Sequence, residues 1–325
     1  MTEALGPSGD DAQLRVVAVT YNSAALLPDF FAALAPAVTA VGGAEVVIAD
    51  NASNDGSAEL AARLYPGASV VSEPSNRGYA AGINAALAAT RSGGPIVILN
   101  PDVRLEPDTL DRLARGLRDT GAGIVVPVIR DDDGHLEWSL RREPSVVRAF
   151  GEALLGGDRA GRLGVGEYIA DERAYERRTR ADWATGAALM ISSDCADELG
   201  RWDESFFLYS EETDYMLRAR DAGFPTCLVP DALVRHLGGE MGTSPSLWRL
   251  VVENRLRLFR RRNSTPATVG FYLALVLKEL TRSARGERTA RQALRNLLGP
   301  SGRRMLRRQE AWSAGTPPDI GSTGP

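Results

Sequence analysis

Three short apolar runs give out into residues that can do chemistry. RVVAVTY (15–21) ends in Thr20-Tyr21-Asn22, EVVIADN (45–51) leads into Asp50-Asn51-Ala52-Ser53-Asn54-Asp55-Gly56, and PIVIL (95–99) leads into Asn100-Pro101-Asp102. Asn, Asp, Ser and Gly also serve any turn or helix cap, so each ending alone is a weak signal. Their recurrence at three strand ends is the stronger one, because ligands of an open parallel sheet bind beyond the carboxyl ends of its strands. Asp50 is suited to accept a hydrogen bond from a base N–H, a contact that discriminates because an unmatched buried carboxylate is costly. Asp102 follows five apolar residues and an Asn-Pro turn. That position sets a carboxylate at the cleft mouth, where Mg²⁺ or Mn²⁺ could bridge it to a diphosphate.

A second cluster, Ser210-Glu211-Glu212-Thr213-Asp214, puts three carboxylates into four residues at a helix start. Acidic residues in a first helical turn favour the macrodipole without any functional role. Three exceed what capping needs, and one could take the proton from an attacking hydroxyl. His236, one of two histidines, precedes Gly238-Gly239 and could complete a metal shell beside Asp102, although a lone histidine is more often structural.

The elements that must position these groups alternate. Strands at 15–21, 45–51, 68–72, 95–99 and 123–129 are separated by helical patterns at 26–34, 57–65, 78–90 and 108–118. That alternation predicts βαβ units and a mostly parallel sheet with helices on both faces. The pattern breaks over 131–182, read as an irregular excursion on the acceptor side. It resumes with a strand at 186–191, helices at 193–199 and 210–222, a strand at 226–229, and helices at 246–262 and 266–296. The expected organisation is a disordered tail over 1–13, a catalytic domain over 14–240, a basic helical region over 241–300 and a disordered tail over 301–325.

The chain has 325 residues, 44% hydrophobic and 25% charged, which is ordinary for a globular protein. Cys195 and Cys227 are too few and too far apart for a metal knuckle or disulfide scaffold, so both read as buried small hydrophobes in a reducing compartment. The polar, acidic start resembles no secretory signal, and the longest apolar run, 269–277, is too short to span a bilayer. A cytoplasmic protein is expected. Residues 241–310 carry 16 Lys/Arg against four Glu, while the rest of the chain is net −16. A basic end on an acidic body predicts either attraction to an anionic surface, with peripheral contact at the inner membrane face, or simply solvated Arg-rich helices.

The blocks VVAVTYN, IADNASNDGS, SNRGYAAGINAAL, VILNPDVRLEPD, ATGAALMI, GRWDESFFLYSEETDYMLRARDAGF and VRHLGG resemble family 2 glycosyltransferases of the GT-A fold. The likeness is to the bacterial rhamnosyltransferase-like branch and covers about residues 15–240. The resemblance implies an inverting transfer from a nucleoside-diphosphate sugar. It implies that Thr20, Tyr21 and Asn22 line the nucleotide pocket, that Asp50 contacts the pyrimidine, and that Asn51, Ser53 and Asp55 flank it. Arg77, Gly78 and Asn84 fall in the block that approaches the diphosphate and sugar, and Asn100 with Asp102 takes the place of the D-x-D-like metal motif. Asn stands for the first Asp of that motif, which leaves metal binding to Asp102 and His236. The base motif, commonly Glu-Asp-x-Asp, reads Glu211-Glu212-Thr213-Asp214; Glu212 takes the base position, with Glu211 or Asp214 as alternatives of different reach.

The sugar expected is a deoxyhexose such as rhamnose from a dTDP or UDP donor, and the acceptor a polysaccharide or polyprenyl-diphosphate-linked glycan. A soluble natural-product glycosyltransferase shares every donor-side motif, and a degenerate, inactive transferase is the other alternative. A nucleotidyltransferase should show an early glycine-rich, basic phosphate loop, yet residues 19–28 contain no Gly, Lys or Arg. A nucleic-acid binder would explain the Arg-rich end but not the acidic body and its carboxylate cluster.

Overall fold

The computed structural model describes residues 13–238 and 244–300. The tails expected to be disordered, apart from Gln13, and Gly239 all lie outside the described residues. The first four strands are β1 (Leu14–Thr20), β2 (Ala44–Asp50), β3 (Ser69–Ser72) and β4 (Ile96–Leu99). They lie parallel in the order β3-β2-β1-β4. Next comes β10 (Ala188–Ile191), antiparallel both to β4 and to β6 (Ile124–Arg130). The far side is β11 (Thr226–His236), parallel to β6, with β5 (Val103–Leu105) and β8 (Arg180–Ala181) running against it. Six of the nine strands therefore share one direction, and their carboxyl ends open on one edge.

Helices cover both faces, as the alternating side-chain directions of the strands require. On one face α1 (Leu27–Ala40), α2 (Ser57–Leu64) and α4 (Thr109–Thr120) pack Leu27, Phe30, Leu34, Ala61 and Leu113 against Val16, Ala18, Val46 and Ile48. On the other, α3 (Tyr79–Ala89), α7 (Ser193–Leu199) and α8 (Glu211–Asp221) pack Ile83, Cys195, Tyr215 and Met216 over Val17, Val19, Val47 and Ala49. Burying each such large side chain contributes about 1.5–3 kcal/mol. Cys195 and Cys227 are both free and buried, and burial pushes the Cys195 thiol up to about 12.

β11 runs seven residues beyond the end the sequence pattern indicates. Pro230-Asp231 looks like a stop, because proline cannot donate to a ladder. The strand absorbs it as a bulge, its register shifting between Val229 and Leu233, where pairing resumes as Leu233↔Val128. His236 thereby ends up opposite Val103 of β5, one residue from Asp102.

The excursion over 131–182 is less irregular than its composition implies. It contains β7 (Leu140–Arg141), α5 (Val146–Leu155) and α6 (Gly157–Arg162), and β7 pairs with β9 (Trp183–Ala184) in a separate two-stranded sheet. The C-terminal region forms α9 (Pro245–Arg262), α10 (Thr265–Ala284) and α11 (Arg288–Leu298). The single helix expected over 266–296 is broken near Gly286, whose φ of +93° no helix accommodates. These helices share a core with the excursion: Ala149 of α5 packs with Leu256, Phe271, Leu275 and Leu297, and the Phe259 and Phe271 rings stack 4.0 Å apart.

Much of the C-terminal positive charge is turned inward. Lys278 meets Glu152 at 2.8 Å, Arg255 bonds Glu167, Arg261 meets Asp203 at 2.6 Å, and Arg262 bridges Asp221 and Glu143 at 2.6 and 3.1 Å. Burial pushes the Glu152 carboxyl up, yet Lys278 and Arg255 outweigh it and hold it at about 2. The acidic body and the basic end are thus in part each other's counter-ions.

Candidate active site

The ends of β1 and β2 are joined by short bonds to Asp50. Its Oδ1 accepts from the Thr20 hydroxyl at 2.7 Å and the Ser53 hydroxyl at 2.6 Å, and its Oδ2 from the Ser53 N–H at 2.9 Å. The next loop repeats the device. Asp55 accepts from the N–H groups of Ala24 and Ser57 at 2.9 and 3.0 Å, and from the Ser57 hydroxyl at 2.6 Å. Burial raises the Asp55 carboxyl slightly, but the Ser57 hydroxyl and these N–H donors hold it below the usual range. Asn22 donates its N–H to Ser53 and accepts from Asn54 N–H. Thr20, Asp50 and Asn51 are buried while Tyr21 is 42% exposed, so an aromatic face stands at the rim of a preformed polar floor.

Gly78 opens α3 where no side chain fits, since a Cβ there would lie 2.1 Å from the Phe207 carbonyl oxygen. Its carbonyl accepts from the Asn51 amide at 3.0 Å, and Tyr79 N–H donates to Phe207 O at 2.8 Å, so α3 is tied to the loop before α8. Asn84 bonds the backbone of Trp202 in both directions and donates to Glu204, which in turn meets Arg77 at 2.8 Å. Arg77 stays half-exposed; Asn84 is committed to holding the 202–204 loop.

Asp102 and His236 come together as the sequence predicts. The His236 Nε2 lies 3.3 Å from Asp102 Oδ2, and its Nδ1 lies 3.4 Å from Glu137 Oε2. Burial pulls the imidazole down, but the two carboxylates outweigh it and push it up to about 10. Asp102 Oδ1 is buried and has no hydrogen-bond partner among the described residues. A buried carboxylate oxygen left over beside an imidazole nitrogen and a second carboxylate is the oxygen-and-nitrogen donor set that Mn²⁺ or Mg²⁺ accepts. Asn100, by contrast, accepts from the Tyr79 hydroxyl at 2.6 Å.

At the start of α8, Glu211 and Glu212 stay together while Asp214 turns away. Asp214 is paired with Arg218 at 2.8 Å. Burial pushes Glu211 well above the usual glutamate range, and the neighbouring charge of Glu212 adds to it. Burial also raises Glu212, opposed by backbone N–H groups and by the Arg141 guanidinium. Glu211 Oε2 is a second buried oxygen without a partner among the described residues. Burial raises the Tyr79 phenol strongly, and the charges of Glu211, Asp102 and Glu212, from α8 and from the turn after β4, act on it in the same direction.

The backbone is strained at the same places. Asn22, Ala52, Tyr209 and Ser210 are the non-glycine residues with positive φ among those described, at 51°, 60°, 68° and 73°. Each such conformation costs about 1–3 kcal/mol and persists only where the surroundings over-determine it. Here they flank the strand-end loops and the carboxylate helix. Asn254 of α9 holds the last of them, donating to the carbonyls of Leu208 and Tyr209 at 2.9 and 3.2 Å.

The family model for glycosyl transferase family 2 matches residues 15–178, which span β1 through the excursion. The chain belongs to glycosyl transferase family 2. It is 32% identical over 234 residues to the N-acetylglucosaminyl-diphospho-decaprenol L-rhamnosyltransferase of Mycobacterium tuberculosis, covering 69% of this chain and 75% of that one. The low-salt glycan biosynthesis hexosyltransferase Agl10 of Haloferax volcanii is 24% identical over 68% of this chain and 66% of its own. Among solved structures, the mannosyltransferase PcManGT from Pyrobaculum calidifontis, in complex with GDP-Man and Mn²⁺, superposes with a TM-score of 0.55 at 17% identity, over 93% and 85% of the chains. S. aureus TarS 1–349 with UDP-GlcNAc does so at 0.52 and 14%, over 87% and 89%. The fold is the GT-A fold, and the family 2 enzyme is a hexosyltransferase.

Three residues of this family 2 transferase's site escape sequence reasoning. Tyr79 reads as one more residue of an alanine-rich helix, Glu137 lies in a stretch without periodicity, and Arg141 belongs to a two-residue strand. Arg141 lies over the Tyr168 ring at 3.9 Å and near Trp183 at 5.5 Å. An exposed turn also brings Asp131, Asp133 and His135 within 4.8 Å of one another, but Asp131 is already accepting the His135 N–H at 2.7 Å, as a turn residue does.

Proposed function

We propose that this family 2 enzyme transfers a deoxyhexose, rhamnose in the first instance, from a dTDP- or UDP-sugar to a lipid-linked glycan, with inversion at the anomeric carbon. The observation that carries the reading is the pairing of Asp102 with His236 at 3.3 Å, with one oxygen each of Asp102 and Glu211 buried and unpartnered among the described residues. Leaving a buried polar group unpaired costs about 1–3 kcal/mol, so these oxygens are best explained by groups brought in with the substrates.

The nucleoside would lie over the floor made by Thr20, Asp50 and Ser53, with the base stacked on Tyr21 and its N–H directed to the Asp50 oxygen that carries only one internal donor. Asp102, His236 and Glu137 would hold Mg²⁺ or Mn²⁺, which would supply positive charge to the diphosphate. Arg77, half-exposed and paired with Glu204, adds a cation nearby, and Asn51, Asp55, Gly78, Asn84 and Asn100 keep the loops in place. Glu212, as carboxylate, accepts the proton of the acceptor hydroxyl as that oxygen bonds to the anomeric carbon. The anomeric carbon–phosphate oxygen bond breaks in the same step, and the nucleoside diphosphate leaves with the bond's electron pair. Glu211 remains protonated beside it, which keeps two negative charges from adjoining. Asp214, held by Arg218, serves the helix and not the proton transfer.

The acceptor choice is supported by the relative that acts on a diphospho-decaprenol-linked sugar. The excursion over 131–182 supplies Glu137 and Arg141 to the site, which makes it the acceptor-facing wall. The test is a donor panel on the purified protein with Mn²⁺ or Mg²⁺, by calorimetry and by transfer to a polyprenyl-diphosphate sugar. Metal-dependent binding of one dTDP- or UDP-sugar is expected, with Asp102→Ala weakening it by more than the roughly 100-fold that loss of a metal's outer-shell partner produces. Undiminished binding to Asp102→Ala would remove the metal assignment. Transfer only to a soluble acceptor would favour a natural-product glycosyltransferase, and binding without transfer a degenerate one.

A further inference from the structure

Exposed large apolar side chains are not scattered over this molecule. Nine of the eleven among the described residues, all except Tyr21 and Leu64, belong to the excursion and the C-terminal helices: Val147, Leu154, Leu155, Leu163, Val165, Val269, Leu273, Leu280 and Leu298. α10 packs against both α11 and α5, α6 packs on α5, and α9 packs on α11 and α10. On α10 a Cβ at Gly270 would touch Val146 of α5, while the Tyr272 hydroxyl donates to Leu297 of α11. Helical spacing puts Val269, Leu273 and Leu280 on the arc between those two contacts, opposite Phe271, which stacks on α9. On α5, Val147 and Leu154 are seven residues apart and so share one face, 71% and 67% exposed. The turn after α6 adds Leu163, also 67% exposed.

The charges at the two ends of this face are mostly positive. α11 turns Arg288, Arg291 and Arg295 outward at i, i+3 and i+7 while burying Ala290, Ala293 and Leu297. Arg159 and Arg162 of α6 stand at the other end, with Asp158 the acidic residue of that helix. None of these five arginines is ion-paired among the described residues, unlike those that hold α9 and α10 to the body. Isolated leucines on a surface need no explanation, but a contiguous apolar face rimmed by cations is a docking surface. A second copy of the chain is a poor occupant: a twofold interface would set arginine rim against arginine rim whichever way it closed. No described helix is long and apolar enough to cross a membrane.

We propose that the α11–α10–α5–α6 face lies on an anionic lipid bilayer. Val147, Leu154, Leu163 and Leu273 enter the boundary between headgroups and acyl chains, and the five arginines contact lipid phosphates. The inference rests on this surface and not on the identity of the acceptor, so the two can fail separately. The excursion that carries the face also carries Arg141, so docking would orient the reaction centre relative to the bilayer.

The experiment is flotation of the full-length protein with vesicles of 70% phosphatidylcholine and 30% phosphatidylglycerol, and with phosphatidylcholine alone, as roughly physiological anionic and neutral surfaces. Binding to the anionic vesicles is expected, reduced at least about tenfold by Leu154→Asp/Leu163→Asp/Leu273→Asp. Thermal melting and nucleotide-sugar binding of that variant should match wild type. Arg288→Glu/Arg291→Glu/Arg295→Glu, altered at fully solvated positions, should lose the preference for phosphatidylglycerol. Unchanged flotation of either variant would overturn the proposal. So would light scattering that shows a wild-type dimer dissociated by the leucine substitutions, because the occupant would then be a second copy.

Discussion

Asp50 closes β2 and Asp102 follows β4 by three residues, both at the carboxyl edge of the parallel strands, yet their surroundings are opposite. Asp50 receives three hydrogen bonds of 2.6–2.9 Å from its own protein before any ligand arrives. Asp102 has one oxygen against His236 and another buried with nothing to accept from among the described residues, and Glu211 repeats that pattern across the cleft. The half around Asp50 is nearly complete, Asn51 Oδ1 being its acceptor left over among the described residues; the half around Asp102 and Glu211 leaves a carboxyl oxygen of each buried without a partner among them. The difference teaches where folding ends and chemistry begins. The carboxylate that builds the floor is satisfied internally, whereas the carboxyls that face substrate are left under-coordinated at a cost in stability. Substitutions should therefore separate cleanly, lowering activity in the incomplete half and stability in the complete one.

The largest effect is expected at the base. Glu212→Gln should lower kcat by about 10²–10⁴-fold, the usual worth of a positioned general base, with donor binding retained. Glu211→Gln keeps the neutral, hydrogen-bonding form that burial already enforces, so single-turnover rates should fall by under about tenfold. The two variants would exchange roles if Glu211 were the base. Because the folded protein raises both carboxyls above the ordinary 4.5, their ionised forms appear at higher pH than in an exposed glutamate. The acid limb of kcat/KM should accordingly lie above that value. The sign for stability is reversed from an ion-paired acid: this pair's contribution is fully present below the unfolded pKa and is lost as pH rises through the folded values. A rate profile with an acid limb at or below 4.5 would break the assignment.

A middle-sized effect of the other kind is expected at Asp50. Asp50→Ala leaves the Thr20 and Ser53 donors unpaired in a buried floor, costing about 1–3 kcal/mol of stability, readable as a lower denaturant midpoint. Nucleotide affinity should fall as well, whereas Glu212→Gln should not lower the midpoint, because it removes a carboxylate whose ionisation burial disfavours. Equal midpoints for Asp50→Ala and wild type would erase the contrast between the halves.

The complete half is also the half legible in the sequence. Strand ends announce themselves by the switch from apolar to Asn, Asp and Ser, and continuous runs such as PIVIL permit only a buried strand, so Thr20, Asp50 and Asp102 fall where periodicity puts them. The incomplete half depends on long-range returns of the chain that periodicity does not encode. His236 reaches Asp102 because β11 continues through a bulge at a proline, and Glu137 reaches His236 from a segment with no repeating pattern. The charge count was informative without being decisive: the arginines of α9 that pair with Asp203, Asp221, Glu143 and Glu167 are indistinguishable by composition from the exposed ones on α11.

The smallest effect tests the seam between the halves. Tyr79 belongs to α3, which Asn51 ties to the complete half, but its hydroxyl donates to Asn100 and faces the carboxylates of the other. Tyr79→Phe keeps the ring, which packs against the core of α3, and removes one neutral hydrogen bond worth about 0.5–1.5 kcal/mol. If the hydroxyl only braces Asn100, the loss should appear in the denaturant midpoint while kcat and KM stay within about threefold of wild type. If it positions the metal-side loop for the diphosphate, KM for the donor should rise by up to about tenfold with an unchanged midpoint. The geometry favours the second outcome, because Asn100 also anchors its own backbone through a 2.9 Å bond to Ala187, so the fold keeps that loop without the tyrosine and only its side chain is freed to move.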